Sequence, residues 1–274
     1  MLDAGHLAAI SDRGWIVRLR KTPPFPVTAL QALGGLPRAH YLRDSESLRR
    51  APDGGWWVAF EGTSRVAWYR PGWQGLTQPP KAVLLRRALR DLTGNRSLEA
   101  VAALPDGHGL ALAERTGDAL AVLFDRDGRE LRRLAFRTDW PPVDALALDD
   151  GGLLILTRTP TWPLPPLFAT RLEYVAPGWE AGPQFESRPL FRLDRTLPAE
   201  NYEGMTAEPL PDNRLRVWLV SDDNYLSLQS TILAWLDLPL ACLRAETRCR
   251  LAPGATATLQ PVPTPRSRPS PAPQ

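Results

Sequence analysis

The chain has 274 residues, of which 43 % are hydrophobic and 23 % charged. That composition supplies a core and excludes wholesale disorder, and no run of about 18 apolar residues offers a membrane span. The net charge is +3, but residues 239–274 carry +4, which leaves −1 on the remaining body. A near-neutral body lacks the clustered basic surface that phosphate backbones demand, so nucleic acid is not an expected partner. No basic segment followed by an apolar run opens the sequence, so no signal peptide is expected in it.

Proline (29) and glycine (20) punctuate short runs rich in Val, Leu, Trp and Phe, the pattern of an all-β protein. From the start, Asp3-Ala4-Gly5 turns into Leu7–Ile10 and then Ser11-Asp12-Arg13-Gly14, half of a unit that recurs. Asp44–Glu61 lies over Ser97–Glu114 at an offset of 53 without a gap, with Pro52-Asp53-Gly54 on Pro105-Asp106-Gly107. Each copy reads as strand, turn, strand. Lys81–Leu92 fits a brief helix or, through Ala82-Val83-Leu84-Leu85, a strand. Looser copies follow at Asp144–Thr157 and Glu203–Asp222, and Leu238–Thr247 is a second brief helix candidate.

Units of about 45–60 residues with about four strands each describe a β-propeller. The expectation is a β-propeller of about five to six four-stranded blades over residues 1–240, whose first blade lacks its innermost strand. Residues 241–274 form a Pro/Arg-rich tail that cannot bury a core and is expected to be disordered. Cys242 and Cys249 stand too far from other ligand types for a zinc site, and both a short-loop disulfide and two free thiols fit. Trp56 and Trp57 alternate faces of a strand, which predicts one in a core and one between blades. Trp68, Trp218 and Trp235 fall in strand runs and read as packing between blades. The three histidines, His6, His40 and His108, offer no catalytic pocket, and Ser221 reads as a strand-end serine bonded to backbone.

Two sets of acids recur in the units. Glu46, Glu99, Asp144 and Glu203 fall in first strands, and Asp12, Glu61, Glu114 and Asp222 end second strands. A hairpin brings its ends to one rim, so both sets should converge on one face near the axis. Clustered carboxylates repel unless protonated or neutralised. A hard divalent cation, Ca²⁺ or another, would solve this, with Glu46, Glu99, Asp144 and Glu203 as ligands. Pairing with arginines such as Arg13, Arg115 and Arg158 would serve equally.

Asn201-Tyr202-Glu203-Gly204-Met205, Leu219–Tyr225 and Gln229–Leu233 resemble the C-terminal signature of the phytase-like ("esterase-like activity of phytase") family. Ile10–Gly14, Asp44–Ser47 and Asn95–Ala100 resemble its earlier motifs, over about residues 7–238 in all. The resemblance implies a propeller exported to the periplasm or outside, and a hydrolase acting on a small phosphoester or ester substrate. Asp12, Arg13, Glu61, Glu114 and Asp222 would then be catalytic groups at the channel mouth of a monomer. The other reading is a non-catalytic propeller that binds or scaffolds.

Overall fold

The computed structural model describes residues 1–37, 39, 42–90, 92, 97–161, 167–222, 231–244 and 260–261. They form five sheets, the blades of a propeller. Blade 1 contains β1 (His6–Ile10), β2 (Trp15–Arg20) and β3 (Val27–Ala32). Blade 2 contains β4 (Ser45–Arg50), β5 (Trp56–Phe60), β6 (Arg65–Tyr69) and β7 (Ala82–Leu84). Blade 3 begins with β8 (Leu98–Ala103), β9 (Gly109–Ala113), β10 (Gly117–Phe124) and β11 (Glu130–Thr138). Blade 4 takes β12 (Pro142–Ala147), β13 (Leu153–Thr161) and β14 (Leu167–Val175). The chain then lends β15 (Gln184–Glu186) back to blade 3, parallel to β11, before β16 (Arg188–Arg192) completes blade 4. Blade 5 contains β17 (Asn201–Leu210), β18 (Arg214–Asp222), β19 (Ile232–Pro239) and β20 (Gln260–Pro261).

The count is therefore five, with three strands in blade 1 and five in blade 3. The Lys81–Leu92 segment opens as a strand, and the second helix candidate is helical only over Ala241–Arg244. The tail meets blade 5 through Gln260–Pro261, and its remaining residues past Arg244 lie outside the described ones. Cys242 is disulfide-bonded; Cys249, like His40, lies outside the described residues. Among the described residues no helix is long and apolar enough to cross a membrane.

The repeated turn has a simple cause. In blades 1 to 4 an aspartate Oδ1 accepts the amide two residues on: Gly5 from Asp3 at 2.8 Å, Gly55 from Asp53 at 2.9 Å, His108 from Asp106 at 3.0 Å and Gly152 from Asp150 at 3.0 Å. Gly54 and Gly107 follow the aspartate with φ of 83° and 93°, a region closed to most side chains. Blade 5 makes its turn with Asp212 and Asn213 at φ of 62° and 55°, types that tolerate this region.

Both faces of each blade pack on a neighbour, so the strands read as near-continuous apolar runs. Five clusters fill the five seams. Ile16, Trp56 and Tyr69 lie between blades 1 and 2, and Trp57, Val101 and Phe124 between blades 2 and 3. Leu112, Phe136 and Ile155 fill the next seam, and Leu156, Leu172, Val217 and Leu236 the one after. Among the described residues the seam between blades 5 and 1 is the smallest, built on Leu7, Leu19, Phe25, Trp218 and Leu233. Trp56 and Trp57 thus both stand between blades, on opposite sides of blade 2, because a blade has no other core. Trp218 and Trp235 pack on Phe25 at 6.1 and 5.4 Å, across the last seam.

One side chain ties the centre. Arg49, buried on β4, donates from Nε to Val101 O at 3.1 Å and Ala145 O at 2.9 Å, and from Nη1 to Met205 O at 2.7 Å. Its Nη2 lies 2.6 Å from Asp144 Oδ1. It therefore joins blades 2, 3, 4 and 5 at the axis. Replacing Arg49 by Met should cost about 3–5 kcal/mol in denaturant unfolding, because buried Asp144 loses its counter-charge and three carbonyls lose a donor. Adding Asp144→Leu should return part of that loss, and an unchanged midpoint in the single variant would contradict the role.

Candidate functional site

The rim acids are aimed by a repeated irregularity. Each first strand of blades 2 to 5 carries a β-bulge at its rim end: between Ser45 and Ser47, Leu98 and Ala100, Pro142 and Asp144, and Tyr202 and Gly204. The bulged residues are Glu46, Glu99, Val143 and Glu203. A bulge re-aims its side chain out of the alternation of the strand. Three blades thus present a glutamate at the same place, and blade 4 presents valine.

Asp144 is the exception to the expected ring. It stands one residue past the bulge, at the position of Ser47, Ala100 and Gly204. Its carboxylate is buried against Arg49, and it accepts Ala145 N at 2.9 Å and Met205 N at 2.7 Å, with Ser47 Oγ at 3.3 Å. Its acceptor sites are spent inside the protein, so Asp144 leaves the set of candidate metal ligands.

The second strands end beside these bulges. Glu61 N donates to Asp44 O at 2.9 Å, Glu114 N to Ser97 O at 3.0 Å and Arg158 N to Pro141 O at 3.1 Å. Arg158 therefore occupies in blade 4 the place held by Glu61 and Glu114 in blades 2 and 3. Asp222 ends β18 opposite Asn201 in the same way. In blade 1 the equivalent is Ser11 rather than Asp12. Ser45 Oγ donates to Ser11 O at 2.6 Å, as Ser97 Oγ donates to Glu61 O at 2.9 Å. Asp12 follows one residue later in the half-buried β1–β2 turn, close enough to raise the pKa of Asp44, and Arg13 comes next.

Blade 4 thus puts a cation among the acids. Arg158 Nη1 donates to Glu203 Oε1 and to Asn201 Oδ1, and its Nη2 reaches Glu114 Oε1 at 3.4 Å. Asn201 Nδ2 donates to Glu203 Oε1 at 2.7 Å. These carboxylates hold the guanidinium pKa above its ordinary value against the opposing effect of burial. Arg158 matches one of the pairings expected from sequence; Arg115 is exposed.

The remaining acids gather in two triads that share Glu61. Oxygens of Asp44, Glu46 and Glu61 lie within 4.8 Å of one another, as do those of Glu61, Glu99 and Glu114. Burial, and then the negative charges of Glu99, Asp44, Glu203 and Glu61, push Glu46 well above the usual carboxylate range. Burial, then Glu114 and Glu61, do the same to Glu99, with Arg158 opposing. Burial also raises Glu114, which Arg158 partly offsets, and Asp44, which Glu61 raises further. The donors are all carboxylate oxygens, a set that suits a hard cation of the Ca²⁺, Mg²⁺ or Mn²⁺ type.

The other candidates take ordinary roles. Ser221 Oγ accepts Ile232 N at 2.8 Å. His6 and His108 sit by their turns, Nδ1 at 2.9 and 2.8 Å from Asp3 and Asp106. Asp44 and Asn201 belong to the site although neither stood out as a chemical residue in the repeat. Asp44 aligns with Ser97 and Pro141, so periodicity carried no signal for it.

The electrostatics fix the sign of a pH effect. Glu46 and Glu99 keep protons in the folded state that the unfolded chain releases above about pH 4.5. The folded state then binds more protons, so stability falls as pH rises toward the folded-state values. In EDTA the melting temperature should drop as the pH rises above about 5, and Glu99→Gln should shrink the drop and melt higher at the upper end of the range. A variant with the same slope as the parent would contradict the assignment.

The sequence profile of the phytase-like family, described as "esterase-like activity of phytase", matches residues 2–225. No curated protein matches the chain. Among solved structures it is similar to a protein of unknown function from Bacteroides caccae, at 13 % identity and a TM-score of 0.45 over 85 % of this chain and 90 % of that one. It is also similar to virginiamycin B lyase from Staphylococcus aureus, at 10 % identity and a TM-score of 0.44 over 94 % and 70 %. A lignostilbene dioxygenase from Pseudomonas brassicacearum matches at 12 % identity and a TM-score of 0.38 over 90 % and 58 %. At these scores the structural likenesses carry no argument about chemistry. The profile match spans most of the sequence, and on it the chain belongs to the phytase-like family.

Proposed function

We propose that the protein is a metal-assisted hydrolase of phosphoesters or esters, acting at the channel mouth on the carboxylate rim. The observation that carries this reading is the pair of carboxylate triads joined at Glu61. Bare, two of their members are driven toward the protonated form; a divalent cation would let them ionise together. Asp44, Glu46, Glu61, Glu99 and Glu114 are the residues that would hold it. When bound, such a cation neutralises an anionic substrate group and lowers the pKa of an attacking water.

The chain's own groups divide the remaining work. Arg158, anchored by Glu203 and Asn201, presents a fixed positive charge beside the triads and suits the oxygens of a phosphoryl or acyl group. Glu203 and Asn201 orient it. Asp12 and Asp222 line the inner wall of the mouth, where a carboxylate can take a proton from water. Arg13 in the adjoining turn adds a second positive contact for an anionic substrate. We also place the protein in an oxidising compartment, a reading supported by the disulfide at Cys242 and by the family.

The test pairs binding with turnover. Added Ca²⁺ should raise the melting temperature of EDTA-treated protein, because a ligand of the folded state stabilises it. Glu61→Gln should abolish that rise together with hydrolysis of p-nitrophenyl phosphate or p-nitrophenyl acetate. A parent protein that neither shifts with Ca²⁺, Mg²⁺ or Mn²⁺ nor hydrolyses either substrate would overturn the proposal in favour of a binding propeller whose acids are neutralised by Arg158 and protons.

A further inference from the structure

The outer wall of the propeller carries a groove that the rim chemistry does not use. It lies between β7, the outermost strand of blade 2, and the turn that joins β10 to β11 in blade 3. Its cause is in the sequence. Leu85, Leu89 and Leu92 are spaced like one face of a helical turn, with Leu89 N donating to Leu85 O and Leu92 N to Leu89 O, each at 2.9 Å. All three are buried in the seam between blades 2 and 3, so Arg86, Arg87 and Arg90 are left facing solvent. Leu85 itself holds a φ of 58°, which a leucine seldom adopts, and turns the chain off β7 toward blade 3.

Blade 3 meets this segment at two points. Gly128, at a φ of 77°, comes so close that a Cβ there would lie 2.6 Å from Leu84 Cβ. Arg133 Nη2 donates to Ala88 O at 2.6 Å, while its Nε and Nη2 donate to Glu130 at 2.8 and 3.0 Å. The space between has a volume of about 460 Å³ and is open to solvent. Four arginines and two acids line it, and one of those acids, Glu130, is engaged by Arg133. Among the described residues, the side chains of Arg86, Arg87 and Arg129 have no ion-pair or hydrogen-bond partner. Residues 81–90 and 125–133 carry +4 and +1, within a body (residues 1–238) of −1. A turn with solvent-facing arginines is ordinary by itself. Arg129 on the opposite wall is not, because it concentrates like charges that repel one another and that folding does not require.

We propose that this groove docks an acidic segment of a partner protein, whose carboxylates pair with Arg86, Arg87 and Arg129. A guanidinium fork meets a carboxylate through two parallel hydrogen bonds. Val83, 50 % exposed, and Ala88 add apolar surface for the side chains between the acids. An open groove suits an extended chain, whereas small ligands are bound in clefts that enclose most of their surface. The lining has a surplus of only two positive charges, too few for a phosphate backbone, which is held by many cationic contacts at once. The chain's own tail is not the occupant, since residues 239–274 carry +4 and would be repelled.

The probe is the fluorescently labelled peptide Glu-Val-Glu-Leu-Glu-Val-Glu, followed by anisotropy against the full chain. It should bind saturably and weaken with rising sodium chloride, because exposed charge pairs are screened. The triple variant Arg86→Glu, Arg87→Glu and Arg129→Glu should keep the parent's melting temperature, since all three side chains are exposed. It should lose at least about tenfold in affinity for the acidic peptide. It should also bind the lysine counterpart, Lys-Val-Lys-Leu-Lys-Val-Lys, more tightly than the parent does. No saturable binding by the parent, or unchanged affinity in the triple variant, would overturn the proposal. So would displacement of the peptide by a single-stranded oligonucleotide, or by inorganic phosphate at an ionic strength where sodium chloride leaves it bound, since the groove would then be a general anion site. Self-association of the parent that the triple variant abolishes would give the groove to a second copy of this chain and overturn it as well. None of these readouts involves metal or turnover, so the outcome is separate from that of the hydrolase test.

Discussion

The guanidinium of Arg49 is the constraint around which the ring is organised. First strands that converge on an axis bring their carbonyl groups into a space too narrow for bulk water. A carbonyl left there without a donor costs about 1–3 kcal/mol. Arg49 answers carbonyls from three other blades with one planar fork, and Asp144 answers its charge. The small residues at the same level, Ser47, Ala100 and Gly204, leave room for that pair. The inner layer of the propeller is therefore a polar pin, while the seams outside it are apolar.

Above the pin, the same architecture yields a different chemistry through a single extra residue per blade. The bulge turns a glutamate out of the strand alternation in blades 2, 3 and 5. Blade 4 departs twice, with Val143 at its bulge and Arg158 at the end of its second strand. The two departures act together: one removes a negative charge and the other supplies a positive one beside Glu203 and Glu114. A symmetric ring of acids would have no fixed cation and no direction. The asymmetry of blade 4 gives the rim a polar and an acidic side.

Much of this was legible in the residues. The Pro-Asp-Gly repeat revealed the blades, since the turn needs an aspartate to cap an amide and a residue that accepts positive φ. The recurrence of acids at both strand ends revealed one rim. What periodicity could not reveal was which acids face each other. Glu46, Glu99 and Asp144 look alike in linear spacing, yet a bulge is a change of register by one residue, and it separates Asp144 from the others. Trp56 and Trp57 both stand between blades, against the expectation of one in a core, for a related reason. Alternation tells which residues share a face, but both faces of a blade are covered by neighbours, so neither is a solvent face. Arg49 gave no signal at all, because its partners lie from 52 to 156 residues away in sequence.

The loan of β15 from blade 4 to blade 3 has a mechanical meaning. The chain now crosses the seam between those two blades twice, anchored in blade 3 by the parallel pairing of β15 with Ala135 to Arg137. Among the described residues the seam between blades 5 and 1 has no such strap; there it is held by the Phe25 cluster, the Met1 amine and the Lys21–Glu208 ion pair at 2.5 Å. A closed ring of this kind breathes at its weakest junction. Amide exchange with solvent should accordingly be fastest along β1 and β2 and slowest along β11 and β12, so that the molecule opens as a clasp rather than loosening evenly.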